Sequence, residues 1–100
     1  GAGTDRDRLG SDTVARGVVE VEALLVEGQR LRDQQAANAA RLREATQAAA
    51  QAALRYETGT LARADWLQLE VARLDAEISA QQLLLRERVQ REQLARALAY

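Results

Sequence analysis

Apolar and small residues recur along the first half of the chain at alternating steps of three and four. This stripe consists of Val21, Leu24, Gly28, Leu31, Gln35, Asn38, Leu42, Ala45, Ala49, Ala52 and Tyr56. The alternation keeps its members on one face of an α-helix that packs against a second helix, as in a coiled coil. Ser11, Asp12 and Thr13 precede the stripe and can cap a helix. The pattern predicts a helix over about residues 12–57.

A second heptad-like stripe follows, and its members are larger aliphatic residues. They are Leu67, Val71, Leu74, Ile78, Leu85 and Val89, with Gln81 or Gln82 between them and Leu94 and Leu98 after a drift. No Gly or Pro interrupts the chain after Leu61, so a second helix is predicted over about residues 61–99. At about 1.5 Å per residue each arm would be about 60 to 70 Å long, which is unusual for a compact domain.

The two stripes are separated by Thr58, Gly59 and Thr60. Gly suits the left-handed conformation that often follows a helix end, and Thr60 can cap the next helix. Residues 1–10 contain three Gly and no apolar period, so we interpret them as a flexible lead or a cloning remnant. The predicted fold is all-α, a long antiparallel two-helix hairpin of coiled-coil type over residues 11–100.

The high Ala content of the chain leads us to expect that several copies associate. The chain contains 21 Ala and 15 Leu, which favours helices over strands. Ala buries little apolar area, so a single hairpin gains limited stabilisation from its own core. Ala residues also surround most of the first helix, so neighbouring helices could approach it from more than one side.

The residue types present exclude several classes of function. With no His, Cys or Met, the chain lacks the usual means of building a nucleophile–base pair or a soft-metal site, so we expect no enzyme, no cofactor and no bound metal. Its 14 basic residues are all Arg and alternate with 15 acidic residues, which argues against nucleic-acid binding. No run approaches the roughly 20 apolar residues of a membrane-spanning helix.

The segment around the predicted turn resembles the outer membrane efflux protein family, the TolC-like outer membrane factors. Tyr56 stands three residues before Gly59, and Asp65 and Leu67 stand six and eight residues after it, followed by a long helix, as in the family's repeated signature. The segment from Val21 to Leu31 also resembles the family helix that enters the turn. The resemblance covers roughly Val14 to Tyr100.

The resemblance implies the periplasmic α-barrel hairpin of an efflux channel in a Gram-negative bacterium. Such a channel is a trimer that is anchored in the outer membrane and forms part of the exit duct of a tripartite export pump. Its hairpin tips dock a periplasmic adaptor, which links the channel to an inner-membrane transport pump. No strand pattern is present, so we expect this chain to be one hairpin of a longer protein.

The resemblance assigns the adaptor-docking tip to Thr58, Gly59, Thr60, Leu61 and Trp66. At Gly59 the missing side chain would let another backbone approach, although a helix stop requires Gly in any case. Trp66, the only Trp, could anchor a partner or fill the space between the two arms.

The resemblance also places Tyr56, Arg63 and Asp65 at the channel entrance. Tyr56 could bond to a neighbouring helix through its hydroxyl, or it could be an aromatic member of the seam. Asp65 would form a carboxylate ring around a three-fold axis, or it could simply favour the start of a helix. Gln68 replaces a second acid of some members, and Leu61 replaces a basic gate residue for which Arg63 could substitute.

Two other functions fit the same pattern. The first is the helical hairpin of the periplasmic adaptor itself, whose tips typically carry an Arg-Leu-Ser-like bend that is missing here. The second is a generic coiled-coil oligomerisation module, for which any turn would suffice.

Overall fold

The chain forms two long helices joined by a short bend. The structure is a computed structural model that describes residues 2–99, with the side chains of residues 10–99. Helix α1 spans Ala2–Glu57 and helix α2 spans Arg63–Leu98. The molecule extends 85 × 17 × 15 Å, and its radius of gyration of 23.5 Å far exceeds the roughly 13 Å of a compact domain of this length. The predicted all-α hairpin is therefore confirmed.

Hydrogen bonds between the helices fix their direction and register. The Gln90 side chain donates to the Leu24 carbonyl at 2.7 Å, near the open end of the hairpin. Asn38 donates to the Ala76 carbonyl at 3.1 Å, about midway along α2. Because low residue numbers of α1 pair with high residue numbers of α2, the two helices run antiparallel.

The stripe predicted on α1 is the surface that faces α2. Of its members Gly28, Leu31, Ala49 and Ala52 are buried, and the others are half-buried apart from Tyr56, which is 36% exposed. Gly28 leaves room for the Gln90 side-chain amide, since a Cβ at that position would lie 2.9 Å from Nε2 of Gln90. The coiled-coil spacing thus identified the contact face of α1.

The large aliphatic stripe of α2 does not face α1. Its members Leu67, Val71, Leu74, Ile78, Leu85, Val89 and Leu98 are all exposed, whereas Leu94, which follows the drift, is half-buried. The residues of α2 that face α1 are instead buried or half-buried and mostly small or polar, and they include Ala76, Ser79, Ala80, Leu83, Glu87 and Gln90. Asn38 can reach a backbone carbonyl only where α2 presents a small side chain, at Ala76. The inner face is therefore the small one, and the stripe points outward.

Helix α1 begins earlier than the sequence pattern suggested. It is helical from Ala2, where a flexible lead was expected, while Gly1 lies outside the described residues. Without Pro, helix formation can propagate back through this segment at one hydrogen bond per residue. Residues 10–20 are all exposed and Val21 is the first half-buried position, so α1 projects beyond the end of α2.

Charged residues on α2 pair along the helix. Arg73 forms ion pairs with Glu70 and with Glu77, both at 2.8 Å. The hydrogen bond to Glu70, with the charges of both acids, raises the pKa of the Arg73 guanidinium above its ordinary value. Pairs at this spacing stabilise a helix slightly.

Replacement of Leu31 by Ala tests the inner seam. Leu31 is 3% exposed, so Leu31→Ala should lower the free energy of unfolding by about 2–4 kcal/mol through lost burial and a cavity. The matched control is Leu25→Ala on the same helix, where the side chain is 54% exposed and the loss should stay below about 1 kcal/mol. Urea unfolding followed by circular dichroism measures both, and equal losses would contradict this orientation of α1.

Candidate functional site

The candidate site is the hairpin tip, which comprises the end of α1, the bend and the first turn of α2. Helix α1 ends at Glu57, and Gly59 adopts a φ of 78°. The Thr60 amide donates to the Arg55 carbonyl at 2.8 Å, and the Gly59 amide donates to the Tyr56 carbonyl at 3.1 Å. These two bonds are those of a Schellman motif, which satisfies carbonyls at a helix end. The left-handed role predicted for Gly59 is confirmed.

Both threonines of the bend cap the C-terminal end of α1. The hydroxyls of Thr58 and Thr60 donate to the Arg55 carbonyl at 3.2 and 3.1 Å, and the two hydroxyl oxygens lie 3.3 Å apart. The expected capping of α2 by Thr60 is wrong, because α2 starts at Arg63 and its N-cap is Ala62, without a side-chain cap bond. The Arg55 carbonyl is therefore the common acceptor for the hydrogen bonds that hold the bend. The residue type at position 55 does not predict this role.

The first turn of α2 presents two opposite charges. Arg63 is its first residue and Asp65 its third, and both side chains are exposed. The amides of Asp65 and Trp66 donate to the Ala62 carbonyl at 3.1 and 3.2 Å. A carboxylate in this position is favoured by the positive end of the helix dipole. Within the described residues Arg63 and Asp65 form no ion pair, so both charges are free to meet a partner.

Tyr56 and Trp66 close the gap between the two arms. Their rings stack with centroids 4.8 Å apart and an interplanar angle of 15°. The indole Nε1 of Trp66 is buried and has no hydrogen-bond acceptor among the described residues. An unsatisfied buried donor typically costs about 1–3 kcal/mol. The geometry thus shows Trp66 filling the space between the arms, and a role as a partner's anchor stays a prediction.

The bend brings together all eight residues predicted for the tip and the entrance. Gly59 lies open, since a Cβ built there would meet no atom within 4 Å. Leu61 is half-buried, whereas both Thr side chains are exposed. Adaptor docking and gating need partner chains, so those roles stay predictions.

Comparison with known protein families, curated sequences and solved structures gives no match for this chain. Among the described residues, no helix combines the length and apolarity needed to cross a membrane. The same residues contain no group of three acidic side chains placed to hold a metal ion. The tip geometry is therefore the main basis for a functional proposal.

Substitution of Gly59 tests the left-handed bend. Gly59→Ala should lower the free energy of unfolding by about 1–2 kcal/mol, because a Cβ strains this conformation. Gly59→Asn should lower the free energy of unfolding by less than Gly59→Ala, since Asn tolerates the left-handed region. Gly17→Ala is the matched control in an open helical position, where it should stabilise α1 slightly. Equal losses in the Ala and Asn variants at position 59 would show that conformation is not the cause.

Removal of the Tyr56 ring tests the aromatic contact. Tyr56→Leu should cost about 1 kcal/mol in unfolding free energy and shift Trp66 fluorescence to longer wavelength, because the indole becomes wetter. Leu54→Ala, at a residue that is 64% exposed, is the control and should leave the emission unchanged. An unshifted spectrum in Tyr56→Leu would argue against the stack.

Proposed function

We propose that this chain is the periplasmic α-barrel hairpin of an outer membrane efflux channel, which forms part of an export duct and docks a periplasmic adaptor at its tip. The supporting observation is the bend at one end of a long hairpin. There Gly59 is open and held in a fixed conformation. A bare backbone at an exposed tip leaves room for the backbone of another protein.

The second support is the outward aliphatic stripe of α2. Helix α1 covers one side of α2, and the stripe leaves the opposite side apolar and exposed. A helix that is packed on one face and apolar on the other fits between two neighbours. A barrel wall offers that environment, because each helix contacts one helix on either side. In the parent trimer, neighbouring hairpins would cover the stripe.

The charges at the start of α2 suit the narrow end of such a duct. Repeated around a three-fold axis, Asp65 would form a ring of carboxylates that favours cations, with Arg63 as a nearby basic partner. Tyr56 would brace this end through its stack with Trp66. The parent protein would lie in the outer membrane and periplasm of a Gram-negative bacterium, with an inner-membrane pump as an indirect partner.

A generic coiled-coil oligomerisation module is the second candidate. The observation that favours it is again the outward stripe, which has heptad-like spacing and would support association whatever the sequence of the tip. The two candidates differ in what they require of the bend. Only adaptor docking depends on an open Gly59.

The decisive experiment measures binding of this chain to a panel of immobilised adaptor hairpins. We expect wild type to bind at least one of them. Gly59→Asn should lose at least tenfold in affinity with its helicity retained, because the new side chain occupies the open space and strains the bend less than Ala does. Trp66→Ala should weaken binding by a similar factor if the ring supports the docking surface.

Gly17→Ala provides the matched control, because it also adds one side chain at an open glycine but lies far from the tip. It should bind as wild type does. If the helical wild-type chain binds no adaptor hairpin, or if Gly17→Ala loses as much as Gly59→Asn, the docking proposal fails.

A further inference from the structure

The exposed stripe of α2 has a charged border on each side. At about 100° per residue, Asp75 and Arg86 lie along one border, whereas Glu77 and Arg88 lie along the other. On both borders the acid is nearer the start of α2 and the Arg is nearer its end. Over the stretch from Leu74 to Val89 each border therefore changes sign along the helix, and the acid Glu92 lies beyond this stretch on the side of Arg88.

These charges are largely available to a partner. Asp75, Arg86 and Arg88 are exposed and form no ion pair within the described part of the chain. Glu77 pairs with Arg73, but its side chain is still 47% exposed. Between the borders, Ile78 and Leu85 are more than half exposed, at 56% and 59%. An uncovered aliphatic stripe framed by exposed charges indicates a protein-binding surface.

We propose that the occupant of this stripe is a second copy of the chain, bound with its α2 antiparallel to the first and with the two-fold axis beside Gln81 and Gln82.

Charge complementarity selects the antiparallel direction. In an antiparallel pair the two copies of α2 are related by a two-fold axis perpendicular to the helices. Each border then lies against the same border of the second copy, which runs in the opposite direction. Asp75 then faces Arg86 of the second copy, and Glu77 faces Arg88 of the second copy. In a parallel pair opposite borders meet at equal height, so that Asp75 lies near Glu77 of the second copy and the arginines lie near each other. Like charges facing each other across helices destabilise the pair.

The same register aligns the apolar residues. With the axis beside Gln81 and Gln82, Ile78 lies level with Leu85 of the second copy and Leu74 lies level with Val89. By symmetry this gives four aliphatic layers around a polar centre. A polar layer within an apolar seam is a known means of fixing register in coiled coils. Helix α1 leaves these four residues exposed.

This inference does not rest on the proposed function. In a channel barrel, the hairpins of neighbouring copies point in the same direction, whereas the pairing proposed here points them in opposite directions. The direction of association and the binding of an adaptor are separate measurements, so either proposal can fail without the other.

Disulfide cross-linking tests the relative direction of the two copies of α2. The chain has no Cys of its own, so each introduced Cys can pair only with another introduced Cys. Gln82→Cys lies beside the axis and should form a covalent dimer under mild oxidation. Gln93→Cys lies on the same border but should not, because the two copies of position 93 would be about 35 Å apart at about 1.5 Å per residue. A mixture of Gln68→Cys and Gln93→Cys chains should form the mixed dimer, since these positions face each other across the interface.

Charge reversal tests the pairing of the borders. Arg86→Glu should raise the dimer Kd about tenfold in sedimentation equilibrium, because two attractive pairs become repulsive. Addition of Asp75→Arg to that variant should restore the wild-type Kd. Arg43→Glu makes the same charge change at an exposed position of α1 and is the matched control, with an unchanged Kd expected.

Three results would overturn the proposal. The first is a helical wild-type chain that stays monomeric at high micromolar concentration. The second is equal cross-linking of Gln82→Cys and Gln93→Cys, which would contradict an antiparallel pair with its axis beside Gln81 and Gln82. The third is failure of Asp75→Arg to rescue Arg86→Glu while both variants remain helical, which would show that these borders do not meet.

Discussion

The close approach of α1 and α2 along a narrow seam determines most of this structure. Gly28 and the buried alanines at positions 49, 52 and 76 bring the two backbones near each other, so that side-chain amides reach main-chain carbonyls across the seam. Leu31 and Leu83 are the only large aliphatic residues among the described side chains that are buried there. A seam this small stabilises the hairpin modestly, and its polar contacts specify the register more than they add stability.

The small seam explains which features of the fold could be predicted from the sequence. Gly59 was predictable because a left-handed residue at a helix end is almost always Gly. The contact face of α1 was predictable because its apolar and small residues share one stripe. On α2 the most hydrophobic stripe is the wrong guide, since α1 packs mainly against small and polar residues and leaves most of the large aliphatic ones outside. Periodicity shows that a helix has an apolar face, but not which neighbour covers it.

The tip follows from local chemistry more than from packing. The Arg55 carbonyl accepts bonds from the Thr60 amide and from the hydroxyls of Thr58 and Thr60, so the bend is held by its own short segment. The sequence identified these threonines as capping residues. Which helix end they cap depends on where α2 begins, and α2 begins two residues later than expected. The stack of Tyr56 on Trp66 could not be predicted either, because it depends on the relative rotation of the two arms.

The two faces of α2 differ in how far a single chain covers them. Its inner face is small and is satisfied by α1, whereas its outer face is large, aliphatic and uncovered. The outer face of α1 offers exposed alanines such as Ala36, Ala39 and Ala50, which could accept large side chains from a neighbouring hairpin. An assembly that aligns the tips would place α2 of one copy against α1 of the next. Free chains are under no such constraint, and the reversal of charge along the borders of α2 is the basis of the antiparallel pairing that we propose.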